Sequence, residues 1–101
     1  MNEKKRRVYI SGGITNVPEY MCNFEMAEES LSRDIYEVVN PAKVNSNLPK
    51  SFTHDEYMKV CIAMLSTCDA IYMLKGFEES EGAMEELIYA HNNNMKIMIE
   101  R

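Results

Sequence analysis

The sequence has few of the features that mark secreted, metal-binding or membrane proteins. Its three cysteines, Cys22, Cys61 and Cys68, are an odd number and show neither C-x-x-C nor cysteine–histidine metal spacing. This argues against a disulfide framework and a zinc site, and it is typical of a reducing compartment. No apolar run approaches the length of a membrane span, and no signal-like apolar segment follows the first charged residues. We therefore expect a soluble cytoplasmic protein with no membrane partner.

Positive charge is also scarce. The 101 residues include 11 lysines and arginines against 16 aspartates and glutamates, which gives a formal net charge of -5. Such a surface repels a phosphate backbone, so we expect no nucleic-acid polymer as a partner. The one basic cluster, KKRR at residues 4–7, is typical of a solvated lead-in to a first strand rather than a polyanion contact.

Neither of the common glycine-rich nucleotide motifs is present. The chain has four glycines and contains neither G-x-G-x-x-G nor G-x-x-x-x-G-K-[ST], which argues against a dinucleotide fingerprint and a Walker loop. What remains is Ser11-Gly12-Gly13, directly after a β-branched and aromatic run. Two interpretations stay open, a plain turn or a place where backbone amides approach an anion. No cofactor and no metal are expected.

Hydrophobic periodicity predicts four strands that alternate with three helices. The predicted strands are Arg6–Ser11, Ile35–Asn40, Asp69–Leu74 and Met95–Glu100, and the predicted helices run from Pro18 to about Leu31, from the capping box at Thr53 to about Thr67, and from Ser80 to about Asn93. Residues 42–51 are predicted to form a polar loop. The alternation predicts one α/β domain over residues 1–101: a three-layer αβα, flavodoxin-like fold whose parallel four-stranded sheet has the order 2-1-3-4.

This strand order also predicts where a ligand binds. In an open parallel sheet the crevice lies outside the carboxyl ends of the two strands at which the order reverses, here the first and the third. The rule selects two loops, Ser11–Thr15 and Lys75–Ser80.

The third predicted helix begins beside that crevice with Ser80 and Gly82. Ser80 has the chemistry of an N-cap, since its oxygen accepts from an amide of the first turn. The same free amides and the positive end of the helix dipole form an anion site, which Gly82 leaves unobstructed. Capping and anion binding both stay open.

Glu85 and Glu86 follow within the next turn. Glu86 is four residues after Gly82 and so lies on the same helix face, whereas Glu85 is rotated from it by about 100°. One interpretation directs Glu86 into the crevice and Glu85 into solvent. The other leaves both as solvated charges that complement the helix start.

Four segments together carry a family resemblance: VYISGGIT (8–15), VVNPA (38–42), CDAIYML (68–74) and SEGAMEELIYA (80–90). They resemble the nucleoside 2-deoxyribosyltransferase-like superfamily, and more closely its short branch DUF4406. The likeness spans nearly the whole chain. It implies a nucleotide or nucleoside N-glycosidase or a 2-deoxyribosyltransferase. Relatives that assemble through apolar helix faces further imply a homodimer or higher homo-oligomer.

The resemblance also implies roles for particular residues. Glu86 matches the nucleophile that attacks the anomeric carbon of a 2-deoxyribosyl group, and Tyr9 matches a tyrosine that orients the nucleophile or the sugar. The residues implied to bind substrate or its 5′-phosphate belong to the two crevice loops: Ser11, Gly12, Gly13, Ile14, Ser80 and Gly82.

The sequence departs from its relatives at three positions. Cys61 stands where they usually carry an aspartate, and a thiol with a reference pKa near 8.5 is a poor substitute for an acid. Gly13 and Thr15 stand where the monophosphate glycosidases have serine and arginine. These departures keep a second function class open, a non-catalytic module that binds a nucleotide or a nucleotide-derived signal in the same crevice. A scaffold with a vestigial crevice is a third.

Two other polar residues have open interpretations. Asn40 ends the second strand, where it either contacts a sugar or base or simply terminates the strand. His54 lies beside the predicted cap of the second helix, where it is either a general acid near the crevice or an exposed first-turn residue.

Overall fold

The computed structural model describes residues 6–32 and 35–101. Its elements in chain order are β1 (Arg6–Ser11), α1 (Tyr20–Ser32), β2 (Tyr36–Val39), α2 (Pro41–Asn45), α3 (His54–Leu65), β3 (Ala70–Met73), a 3₁₀ turn (Phe77–Glu79), α4 (Glu81–Asn92) and β4 (Lys96–Ile99). Within these ranges no helix is both long enough and apolar enough to cross a bilayer.

The four strands form one all-parallel sheet in the order β2-β1-β3-β4, which confirms the predicted α/β fold and strand order. Strand β1 pairs with both β2 and β3, and its register places Tyr9 beside Ile71 and Ser11 beside Met73. The order reverses between β1 and β3. Their carboxyl ends therefore meet at one edge, where the loop after each begins.

Alternation along β1 sends successive side chains to opposite faces of the sheet. Val8 and Ile10 join the buried cluster under α1, together with Phe24, Ala27 and Leu31. Tyr9 joins the cluster on the other face, which α3 and α4 cover; its further members are Cys61, Leu65, Ile71, Met73, Ala83 and Ala90. Tyr9 and Ser11 are two residues apart in the strand, so their side chains point to the same face of the sheet. Both therefore lie under α3 and α4, the helices that carry the candidate site.

The prediction of a loop over residues 42–51 is wrong at its start, where the short helix α2 spans Pro41–Asn45. Asn40 is its N-cap, accepting a hydrogen bond from the amide of Ala42 at 3.1 Å. Pro41 follows at the first helical position, where a missing N–H costs nothing. Asn-Pro at the end of a strand therefore starts a helix here as well as ending β2.

The predicted starts of α3 and α4 are confirmed, because Thr53 and Ser80 are their N-caps. The Thr53 hydroxyl accepts from the amide of Glu56 at 3.2 Å while the Glu56 carboxylate accepts from the Thr53 amide at 2.8 Å. Ser80 caps α4, its Oγ accepting from the Ala83 amide at 3.1 Å. These two caps fix the amino ends of α3 and α4 beside the switch point.

The first glycine turn is held close to the sheet by the packing of Gly12. A Cβ added at Gly12 would lie 2.8 Å from Cδ1 and 2.9 Å from Cβ of Leu74, which is itself buried. We therefore expect Gly12→Ala to destabilise the fold by about 1–3 kcal/mol, the usual cost of overpacking. Urea unfolding monitored by circular dichroism measures this loss.

Gly13→Ala is the matched comparison, since its added Cβ would lie at an ordinary contact distance of 3.9 Å from Cβ of Ser80 and closer, at 3.1 Å, only to a methyl of Val17. That side chain is partly exposed and has room to move, so the loss of stability should be smaller. Equal losses for the two variants would contradict the account of Gly12.

Candidate functional site

A cavity of about 270 Å³ lies at the switch point between the loop after β1 and the helices α3 and α4. It is the hollow at which the sequence places a ligand. Its lining residues are Gly12, Ile14, Thr15, Tyr20, Asn45, His54, Tyr57, Met58, Cys61, Ser80, Gly82, Ala83 and Glu86. The cavity is therefore walled by apolar and aromatic groups with a few polar ones, the usual composition of a small-molecule site.

Glu86 is the one carboxylate among these lining residues. The residue is only 6% exposed, although it stands on the surface helix α4. The neighbouring Glu85 keeps 46% of its side chain exposed. The two glutamates thus point in different directions, as their spacing from Gly82 predicts.

Two hydroxyl groups from β1 hold the buried carboxylate. Tyr9 Oη donates to Glu86 Oε2 at 2.5 Å, and Ser11 Oγ donates to Glu86 Oε1 at 2.6 Å. Because strand residues two apart share a face, β1 delivers both donors to the same side of the sheet. Each carboxylate oxygen therefore has one strong, charge-assisted hydrogen bond from a buried residue.

Burial raises the pKa of Glu86 to about 7, while the hydrogen bonds from Ser11 and Tyr9 act in the opposite direction. Burial, followed by the charge of Glu86, raises the pKa of Tyr9 well above 10. The phenol therefore stays protonated and remains a donor. Near neutral pH both the protonated and the ionised forms of the carboxyl group are therefore populated.

Cys61 lies on the cavity wall contributed by α3. Burial is the largest influence on its thiol and raises its pKa. The side chain of Asn45, from α2, contacts the sulfur through Nδ2 at 3.7 Å and through Oδ1 at 3.8 Å. At neutral pH the thiol is thus a neutral group held by an amide.

The cavity opens beside the amino end of α4, where Ser80 and Gly82 also line an adjoining cleft of about 620 Å³. Gly82 lies against α3: a Cβ there would be 3.3 Å from the sulfur of Met58 and 3.7 Å from Cε1 of His54. The absence of a side chain at Gly82 thus keeps the passage between the two helices open.

His54 lines both the cavity and the cleft. Its Nε2 lies 2.8 Å from Glu85 Oε2 and 3.2 Å from Glu81 Oε1. Donor atoms of these three exposed residues lie within 4.8 Å of one another, the spacing of a metal-ligand set. The hydrogen bond and ion pairs among them account for that spacing without a metal ion.

The structure brings most of the sequence-predicted residues together. Those that line the cavity are Gly12, Ile14, Cys61, Ser80, Gly82 and Glu86. Tyr9 and Ser11 reach the site through the Glu86 carboxylate, and Gly13 lines the adjoining cleft. Asn40 is placed elsewhere: besides capping α2, its Nδ2 donates to Glu28 Oε1 at 3.0 Å.

Sequence reasoning missed five of the lining residues, namely Tyr20, Asn45, Tyr57, Met58 and Ala83. Tyr57 and Met58 lie four and three residues before Cys61, a spacing that puts them on its helix face. Their apolar character predicts only core packing. Asn45 could not be placed at the site because residues 42–51 were expected to form a loop. Ser11 was expected to contact the substrate, and the structure places its hydroxyl on the Glu86 carboxylate.

The chain belongs to the DUF4406 family. The family model, described as "Domain of unknown function (DUF4406)", matches residues 6–99. A comparison with curated proteins gives no significant match.

The buried carboxyl group predicts a stability that depends on pH. Between pH 4.5 and about 7 the unfolded chain loses the Glu86 proton and the folded chain keeps it, so the free energy of unfolding falls as pH rises through this window. A shift from 4.5 to about 7 corresponds to a loss of about 3 kcal/mol at pH 8. Glu86→Gln, whose amide still bonds both hydroxyls, should therefore be more stable than the parent at pH 8 and similar to it at pH 4.

Urea unfolding between pH 4 and pH 9 measures the difference. Glu78→Gln is the matched control, since Glu78 is exposed on the 3₁₀ turn and does not line the cavity. A stability difference for Glu86→Gln that is the same at every pH would contradict the assigned burial of charge.

Proposed function

We propose that this protein is an N-glycosidase or 2-deoxyribosyltransferase of the nucleoside 2-deoxyribosyltransferase-like superfamily, acting on a nucleotide or nucleoside in the cytoplasm. Glu86 is the nucleophile. The observation that carries the proposal is one buried carboxylate, held by the hydroxyls of Tyr9 and Ser11 and lining the switch-point cavity. No metal or cofactor takes part in the proposed chemistry.

A carboxylate in this position suits attack on a sugar. The anomeric carbon of a 2-deoxyribosyl group carries positive charge as its bond to the base breaks, and an adjacent carboxylate stabilises that charge and then bonds to the carbon. Tyr9 and Ser11 fix both oxygens of Glu86, so the nucleophile is oriented before the substrate arrives. Water or a second base then takes the sugar from the ester.

The amino end of α4 is suited to bind the 5′ end of such a substrate. Ser80 and Gly82 line both the cavity and the adjoining cleft, and the helix start presents amides and a positive dipole. The Gly12-Gly13 turn faces it, with a Cβ at Gly13 only 3.9 Å from that of Ser80. We therefore propose that a 5′-hydroxyl or 5′-phosphate lies here, with the sugar beside Glu86.

Release of free base tests the proposed reaction. We expect the protein to liberate base from at least one of the common 2′-deoxynucleosides or their 5′-monophosphates, as measured by liquid chromatography. Glu86→Gln should lower the rate to about one thousandth or less, the scale on which loss of a nucleophile acts. Because the nucleophile must be ionised, kcat/KM should rise with pH on the acid side, and the midpoint of this rise should lie near the Glu86 pKa of about 7.

Glu78→Gln again serves as the control and should keep the parental rate. A substrate panel that includes ribonucleosides and added free bases as acceptors identifies the sugar and the acceptor. Base release that persists in Glu86→Gln would contradict the assignment of the nucleophile.

A non-catalytic nucleotide-binding module is the second candidate. It is favoured by the neutral Cys61 thiol and by the presence of only one carboxylate among the described residues that line the cavity. The same panel, read by thermal shift, separates the two functions. Stabilisation by a ligand without release of base selects the binding module.

We also propose that the protein is a homodimer, assembled through the outer face of α3. Half-buried Met58 and Ile62 and exposed Ala63 line a shallow groove there, and apolar area of this kind is typical of subunit contacts. Sedimentation at micromolar concentration should give a dimer for the parent and a monomer for Ile62→Lys. A monomeric parent would contradict the proposal.

A further inference from the structure

We propose that His54 is the proton donor to the departing base in the reaction proposed above, on which this inference rests. When the bond from the anomeric carbon to the base nitrogen breaks, the nitrogen keeps the electron pair. A base that leaves as an anion leaves slowly, and a positioned acid typically accelerates such a step by about 10²–10⁴-fold. The site therefore needs a group that carries a proton at neutral pH and gives it up readily.

Few of the groups that line the cavity can supply that proton. Cys61 is a weak acid that its burial makes weaker still. Tyr20 and Tyr57 offer phenols, a class far less acidic than imidazolium. Glu86 must be ionised to attack. Among the described lining residues this leaves His54, which lines both the cavity and the cleft.

The surroundings of His54 favour its charged form. The hydrogen bond from Nε2 to Glu85, 2.8 Å long, is the largest influence on its pKa and raises it. Burial is the next largest influence and lowers the pKa, while the charges of Glu85, Glu81 and Asp55 act in the same direction as the hydrogen bond, so that the pKa is raised. The carboxylates that face the ring come from α4 and from the first turn of α3. Together they favour the imidazolium form over the neutral imidazole.

The geometry leaves one N–H of that imidazolium available. Nε2 is held by Glu85 and Glu81, whereas Nδ1 has no hydrogen-bond partner within residues 6–32 and 35–101. The ring stands over Gly82, whose missing side chain leaves space between α3 and α4. In the proposed reaction a base bound in the cavity beside His54 accepts the proton from Nδ1, while the Glu85 carboxylate orients the ring from the other nitrogen.

The protons that are given up and taken up balance over the two steps of the reaction. In the first, an oxygen of Glu86 bonds to the anomeric carbon, the bond to the base breaks, and the base nitrogen takes the proton from His54. In the second, neutral His54 accepts a proton from attacking water, or from the N–H of an acceptor base. The ester bond breaks and its electron pair returns to Glu86, which restores both residues.

Two substrates, whose leaving groups differ in their need for a proton, distinguish a proton donor from a residue with only a structural role. One substrate is the fastest member of the nucleoside and nucleotide panel, and the other is 4-nitrophenyl 2-deoxyribofuranoside, whose nitrophenolate departs without a proton. We expect His54→Gln to lower kcat for the natural substrate by about 10²–10⁴-fold. For the nitrophenyl substrate the loss should be under tenfold. A parallel loss on both substrates, or no loss on either, would overturn the assignment.

The pH profile gives a second readout. In the parent, kcat/KM should fall again above the raised pKa of His54, and this alkaline limb should be absent from His54→Gln. Glu85→Gln should move the limb to lower pH, since it removes the group that raises the pKa most, and Glu78→Gln should leave it in place. An alkaline limb that His54→Gln leaves unchanged would also overturn the proposal. Inactivity of the parent on the whole panel instead refutes the glycosidase function, and this inference falls with it.

Discussion

The hydrogen bonds that two β1 hydroxyls donate to one buried carboxylate are the interaction on which the site depends. Glu86 sits on a surface helix yet is almost wholly buried, and burying an ionised carboxylate is costly unless its oxygens find donors. Tyr9 and Ser11 offset part of that cost, so the carboxyl group is left with a pKa of about 7 rather than being locked neutral. A carboxyl pKa raised in this way by burial is typical of a functional site.

The fold explains why this arrangement is simple to build. A parallel strand at the switch point presents alternate residues to one face and ends at the crevice, so β1 supplies two donors and then the glycine turn. The capped amino end of α4 supplies Ser80 and Gly82, and one further turn supplies Glu86. Helix α3 closes the other wall with Cys61 and, at its first residue, His54. The site thus draws on three elements whose ends converge.

Much of this could be predicted from the sequence, because the signals are local. Alternating elements predict a parallel sheet, the Thr53 and Ser80 caps predict two helix starts, and the four-residue step from Gly82 places Glu86 on the same helix face as that glycine. What could not be predicted depends on distant contacts. In the sequence Ser11 is only the residue that leads into the glycine turn. In the fold its hydroxyl donates a hydrogen bond to the Glu86 carboxylate, 75 residues along the chain. Likewise, α2 brings Asn45 to Cys61 only because Asn40-Pro41 starts a helix as well as ending a strand.

The central claim is that Glu86 forms a covalent bond to the sugar. A nucleoside of 2-deoxy-2-fluoroarabinose tests it most directly, since the fluorine destabilises the charged transition state of both steps and slows hydrolysis of the ester. Mass spectrometry of the intact protein and its peptides, after incubation at pH 8, should show one fluorosugar attached to Glu86. Release of base with no adduct, or an adduct on any other residue, would contradict the account.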